Sequence, residues 1–433
     1  MQRGLPVMPA DAVLRRLFEV AVAAALPGER LASLLPPPPA PPGRTIVIGA
    51  GKAAAAMAAV VEAARPVDCG LTGLVVTRYG HGVPTQRIEV VEAAHPTPDE
   101  AGVAAATRIL RLAEGAREGD QLICLLSGGG SALLSLPAAG LSLADKQSVT
   151  RALLRSGATI HEINCVRKHL SGIKGGRLAA AAAPASVYTF VISDVVGDDP
   201  SVIASGPTVA DPTTFADADA VLQRYGVAVP AAVAAHLSSA SDETPKPGDP
   251  LLSRSGLILI ATAGEALTAA AAAATALGYQ ALILADGIEG EAREVGQVLA
   301  AIGTYFARRS EPLQPPFVLL SGGETTVTVH GTGRGGPNGE FLLSMLMALA
   351  GHPQIWAIAC DTDGIDGTET NAGAILRPDS YARAHALGLD LAGHLADNDS
   401  YAVFSALGDL VVTGPTFTNV NDFRAILVTN GGS

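Results

Sequence analysis

Thr45-Ile46-Val47-Ile48-Gly49-Ala50-Gly51-Lys52-Ala53-Ala54 reads as a strand, a glycine turn and the start of a helix. A continuous apolar run of this length suits a strand buried on both faces, as in a parallel sheet covered by helices. The same alternation continues outward from it. Strands are expected over 73–77, 89–93, 121–126 and 187–192, with helices over 53–64, 100–113, 143–155 and 160–183. Residues 241–250, Ser-Asp-Glu-Thr-Pro-Lys-Pro-Gly-Asp-Pro, break the pattern and read as a linker. Beyond it come strands over 256–261, 281–284, 317–320 and 354–360, a hairpin over 325–330 and two late helices. The expected fold is α/β in two domains: 1–240 with a Rossmann-like, mostly parallel sheet, and a smaller mixed-sheet domain, 251–433, with a cleft between.

Composition sets limits. Of 433 residues, 48% are apolar and 16% charged, enough for large cores. The net charge of −12, with 29 basic residues, argues against a nucleic-acid partner. Cys69, Cys124, Cys165 and Cys360 lie far apart with no Cys-x-x-Cys, so neither a zinc site nor a disulfide framework is indicated. Cys124 reads as core, and a reducing cytoplasm fits. Asp11, Arg15, Arg16 and Glu19 make the opening segment, 10–35, an amphipathic helix and no signal peptide. The uncharged run Ala266 to Ala285 is interrupted by Gly278-Tyr279-Gln280 and reads as helix, turn and strand, with no membrane span.

Several loops carry chemistry. Gly49-x-Gly51-x-x-Ala formally matches the dinucleotide fingerprint. The second strand, however, ends in Thr77-Arg78-Tyr79, without the acid that holds a ribose; Arg78 would suit a 2′-phosphate instead. Lys52 is one of only five lysines and sits where a helix begins, a position suited to an anion. Ser127-Gly128-Gly129-Gly130-Ser131 offers main-chain N–H groups and two hydroxyls for phosphate. Ser321-Gly322-Gly323-Glu324-Thr325 repeats that pattern in the second half. Asn164 to Arg177 is the densest basic patch; on one helix, Asn164, Lys168 and Ser171 would share a face, with Arg167 and Lys174 adjoining. Asp194 follows an apolar strand, where α/β folds bind ligands, and is a candidate base or magnesium ligand. Arg334, in the loop Gly331 to Glu340 with Asn338, would clamp a carboxylate or phosphate. Asp361, Asp363 and Asp366 resemble a cation loop, although Ala372 at the twelfth position rules out an EF-hand.

These parts suit phosphoryl transfer, which needs cations and N–H groups around phosphates, carboxylates for magnesium and an acceptor for a proton. No Walker loop or protein-kinase signature set is present. At each position the plain structural alternative stands beside the functional one: a solvated lysine, an ordinary turn, an Asp cap.

The chain resembles the glycerate 2-kinases, also called the MOFRL or class II glycerate kinase family. The resemblance runs in order through Gly49 to Lys52, His95-Pro96-x-Pro98-Asp99, Ser127 to Ser131, Asn164 to Arg177, Ser193 to Asp198, Glu243-Thr244-Pro245, Ser321 to Glu324, Asp361 to Gly367 and Thr413 to Asp422. It implies ATP- and magnesium-dependent phosphorylation of D-glycerate to 2-phosphoglycerate; the assembly is expected to be a monomer or homodimer. Lys52, Asp194 and Arg334 are the implied catalytic set. Many relatives have arginine where this chain has Pro337, which leaves Arg334 as the substitute or true equivalent. Members are also often labelled hydroxypyruvate reductases. An NADP-dependent reductase, resting on the Gly49-x-Gly51 turn and Arg78, is the first alternative. A non-enzymatic sensor of sugar acids or nucleotides is the second.

Overall fold

The computed structural model describes residues 8–67, 69–309 and 312–430. The chain forms two compact units, 27–260 and the segment through Leu26 together with 261–433. They are termed the first and second lobes.

The first lobe holds a six-stranded sheet built from β1 (Thr45–Ala50), β2 (Leu71–Arg78), β3 (Ile88–Ala93), β4 (Gln121–Leu126), β5 (Ser186–Ile192) and β6 (Ser255–Ala261). Its order is β3-β2-β1-β4-β5-β6, parallel from β3 through β5. Every residue of β1 and β4 is buried, as their unbroken apolar runs predict. Helices Ala54–Ala64 and Glu100–Glu114 cover this sheet. This is the doubly wound order, in which the connections reverse direction between β1 and β4 and open a crevice at their carboxyl ends. A separate apolar cluster joins helices Leu143–Ser156, Ile160–His169 and Phe215–Arg224.

The second lobe has a mixed sheet. Its strands are β7 (Gln280–Ala285), β9 (Phe317–Gly323), β11 (Ile355–Asp361), β12 (Gly373–Leu376), β13 (Leu410–Val411) and β14 (Asp422–Val428), in the order β13-β12-β11-β14-β9-β7. Only β7 and β9 run parallel. Two short strands, β8 (Gly290–Glu291) and β10 (Thr325–Thr326), pair separately. The fold class is therefore as expected, α/β with a Rossmann-ordered sheet and a mixed one.

Several details differ from the sequence reading. The first helix stops at Ala25, and Pro27 precedes a second short one, Gly28–Leu34. Helix Ala10–Ala25 belongs to the second lobe, where Phe18 stacks on Phe423 at 5.8 Å and Asp11 pairs with Arg377 at 3.1 Å. Residues 241–250 do not carry the crossing. His169 and Arg177 fasten Glu243 and the Asp242 carbonyl to the first lobe, and the chain passes over at Ile260/Ala261. The basic helix ends at His169; Ser171 bridges to Pro137, and the chain then turns through Gly175 and Gly176, both at positive φ, before Arg177–Ala182. The expected hairpin over 325–330 is only β10, paired parallel with β8. Strand β14, central in its sheet, went unread.

Candidate functional site

The β1 and β4 loops meet at the reversal point of the first sheet. The Lys52 N–H donates to Gly128 O at 2.8 Å, and the Ala53 N–H donates to Ser127 Oγ at 2.9 Å. The Ser127 N–H donates to Ala50 O at 3.1 Å. Glycines permit this closeness. Gly51 has φ +139°, and a Cβ there would overlap the Ser127 hydroxyl and carbonyl; Gly49 lies equally close to Leu125. Gly129 has φ +79°, with the His95 ring 2.9 Å from where its Cβ would be. Lys52 is half-buried at this junction, and Asp194 is half-buried just beyond β5. Lys52, Ser127 to Ser131 and Asp194 thus share the carboxyl edge of three adjacent strands.

A buried chain of hydroxyls supports the β4 loop. Ser131 Oγ lies 3.0 Å from Ser205 Oγ, which donates to Asn164 Oδ1 at 3.1 Å. The Lys174 ammonium donates to Ser131 O at 2.9 Å and Ala204 O at 3.1 Å. Ala204 and Ser205 both hold positive φ, a strained turn that these bonds stabilise. Asn164 therefore reaches the glycine loop through Ser205. Lys168 does not join it: its ammonium is buried against Asp211 at 3.3 Å, and Thr213 and Thr244 also donate to that carboxylate.

In the second lobe the repeated glycine pattern ends a strand instead of forming a strand-to-helix turn. Ser321, Gly322 and Gly323 are the buried end of β9, in register with Arg424, Phe423 and Asp422 of β14. Gly323 takes φ +113° because the Ile288 backbone crosses where a Cβ would be. The residues are brought together in another way. The fully buried Arg424 guanidinium pairs with Asp422 and donates to Thr325 Oγ1 and Gly322 O. Asn338 Nδ2 donates to Asp422 Oδ1 at 2.6 Å, while Asn338 Oδ1 has no partner. Asp366 accepts from the Asn338 N–H at 2.9 Å and the Gly339 N–H at 2.8 Å, so it caps helix Pro337–Leu349. Burial, with Asp422 nearby, pushes Asp366 up to about 7 against the pull of those amides.

Asp361 accepts from the Asp363 N–H and Asp363 from the Ile365 N–H, each at 2.8 Å, which folds the acidic loop on itself. Among the described residues no three His, Cys, Asp or Glu side chains are grouped to hold a metal. Glu324 is exposed. Arg334 is exposed too: its guanidinium forks onto Glu369 and lies 4.5 Å over the Tyr401 ring. Cys124 is core, its thiol pushed up to about 12 by burial.

Lys146 escaped the sequence reading. On helix Leu143–Ser156 it lies three residues before Val149 and seven before Leu153, both buried, and is itself buried on that stripe. A lysine at an apolar helix position was the available signal. Arg424 carried a similar one, as a charge within the apolar run Asp422–Val428.

A doubly wound sheet with a lysine and a glycine loop at its reversal point places the chain among α/β proteins, a class in which ligands generally bind at the strand ends. Residues 13–238 match a domain of unknown function (DUF4147), and residues 317–422 match the MOFRL family. A glycerate 2-kinase of Pyrococcus horikoshii is 42% identical over 382 residues, covering 86% of each chain. The crystal structure of glycerate kinase from Thermotoga maritima superposes with a TM-score of 0.85 at 39% identity, covering 96% of this chain and 99% of that one. An Agrobacterium vitis protein, provisionally named a hydroxypyruvate reductase, is 54% identical over 418 residues, covering 96% of this chain and 94% of its own. The chain belongs to the MOFRL glycerate kinase family. No helix among the described residues is long and apolar enough to cross a membrane.

Proposed function

We propose that this chain transfers the terminal phosphoryl group of ATP to the 2-hydroxyl of D-glycerate. The observation that carries the reading is the stapled junction of Lys52 with the Ser127–Ser131 loop, in a chain whose relatives include named glycerate 2-kinases. Phosphoryl transfer asks the protein mainly for position and for positive charge where negative charge develops. Lys52 supplies that charge. Backbone N–H groups of the β4 loop hold phosphate oxygens, and Asn164 and Ser205 hold the loop. Asp194 orients the acceptor hydroxyl and takes its proton. Arg334, on its exposed loop, is the second lobe's candidate for an anionic group.

Magnesium fits a limited role. Magnesium carried by nucleotide phosphates needs only one or two protein carboxylates, and among the described residues Asp361 and Asp363 are the second lobe's candidates. Asp366 is committed to the helix amides. When bound, magnesium would neutralise phosphate charge.

The reductase reading draws on the Rossmann strand order and the Agrobacterium name. Against it, β2 ends in Thr77-Arg78-Tyr79 with no acid for a ribose. The test is Lys52→Ala. Phosphorylation of D-glycerate should fall about a hundredfold or more, as when one preorganised charge-stabilising group is removed. Unchanged turnover would remove Lys52 from the mechanism.

A further inference from the structure

One cavity of about 370 Å³ lies wholly in the first lobe, beside the glycine loop, with Gly129 and Ser131 in its wall. Its charges are unlike those of the rest of the chain. Lys146, Arg167 and Lys174 converge on it, Arg151 stands at its side, and no Asp or Glu lines it. Among the described residues none of these four cations has a carboxylate within salt-bridge range, in a protein whose net charge is −12. Immediately nearby, the fold does match its buried cations: Lys168 has Asp211 and Arg177 has Asp242. Lys146 and Lys174 are almost fully buried, at 7% and 2% exposure. Burying unpaired charge is costly, so an uncompensated cluster of this kind calls for an anion from outside. Burial first, and the neighbouring cations second, push Lys146 down to about 7 and Lys174 well below the ordinary lysine range.

The remaining wall sets Pro96, Pro98, Leu143 and Leu154 beside the polar His95, Thr97, Ser135, Gln147 and Thr150. The volume falls within the ~300–1,000 Å³ of small-molecule sites. A three-carbon hydroxy acid has no apolar face to set against prolines and leucines. A nucleotide has both a flat base and a polyanionic tail. Building on the kinase reading, we propose that this cavity seats the nucleotide donor, with its phosphates on Lys146, Arg167 and Lys174 and its base against the proline and leucine wall.

The test uses the full chain and two variants. Arg167→Gln removes a cavity cation that has no hydrogen bond or ion pair among the described residues. Leu154→Glu places a negative charge at the rim, at a residue 59% exposed, where folding is unaffected. ATP with magnesium is titrated calorimetrically without acceptor, and KM is then measured for ATP and for D-glycerate. Arg167→Gln should weaken ATP binding about tenfold or more, the loss expected for one charge-assisted hydrogen bond. Leu154→Glu should weaken it several-fold, with KM for D-glycerate unchanged in both. ATP affinity unaltered in both variants overturns the inference, whatever the turnover. So does a rise confined to KM for D-glycerate, which would make the cavity the acceptor's seat. Arg167-dependent ATP binding by a wild-type protein that does not phosphorylate glycerate would uphold the nucleotide seat and sink the kinase reading alone.

Discussion

Ser127→Ala tests whether the staple between the two strand-end loops holds the site in shape. Ser127 is 1% exposed, and its hydroxyl accepts the Ala53 N–H at 2.9 Å, just ahead of helix Ala54–Ala64. That helix has no side-chain cap of its own sequence, so Ser127 does the work of one from β4. The substitution keeps the Cβ and deletes the acceptor, which leaves a buried N–H unpaired. Such a group costs about 1–3 kcal/mol. The opening equilibrium of residues 51–57 should rise about 5- to 150-fold, at a factor of ten per ~1.4 kcal/mol. Hydrogen exchange followed by mass spectrometry reads this directly as faster exchange confined to that segment. Turnover should fall with it, because a shift of about 1 Å in a charged group can cost on the order of a hundredfold. Exchange as slow as in the wild type would refute the claim that Ser127 carries the junction. Faster exchange with unchanged kcat/KM would keep the staple but detach it from catalysis.

Other consequences can be checked separately. Asp366 has a folded pKa raised above its ordinary value to about 7, so its protonated form contributes stability that is lost as pH rises through 7. Asp366→Asn cannot ionise and loses one amide acceptance; it should be less stable at pH 5, with the gap narrowing by pH 8 in urea unfolding, and a widening gap would contradict the assignment. Lys146, facing Arg167, Lys174, Arg151 and His95, is depressed to about 7, so an anion bound there draws a proton onto it above that pH. Calorimetry of ATP binding at pH 8 in two buffers of different ionisation enthalpy should show proton uptake that Lys146→Met reduces, the remainder falling to Lys174; identical enthalpies for the unsubstituted protein would count against it. Arg334→Ala breaks the ion pair between the exposed Arg334 and the buried Glu369 and should lower kcat/KM for D-glycerate. Full activity in that variant would leave Arg334 a surface residue.

The first sheet was legible because burial on both faces writes continuous apolar runs, and β1 and β4 are of that kind. The loops after them were legible because glycine at Gly51 and Gly129 is required by close approach. At Ser321–Gly323 the same glycine signal accompanies close approach to another strand and to Ile288. Sequence cannot tell a chain crossing from a bound phosphate. Strand β14 was hidden by its own charged residues, since Asp422 and Arg424 break the apolar run that would have marked it. Lys168 and Lys174 lie six positions apart in one basic patch, yet one is neutralised by Asp211 and the other borders a cavity. Their partners come from segments distant in sequence, which only the folded chain brings near.

The most direct measurement is an enolase-coupled assay of the purified protein with D-glycerate, ATP and magnesium, phosphoglycerate mutase omitted. Phosphoenolpyruvate formed without the mutase is the predicted result, because it requires 2-phosphoglycerate as the direct product. No phosphorylation with or without the mutase, together with NADPH-dependent loss of hydroxypyruvate, would contradict the account.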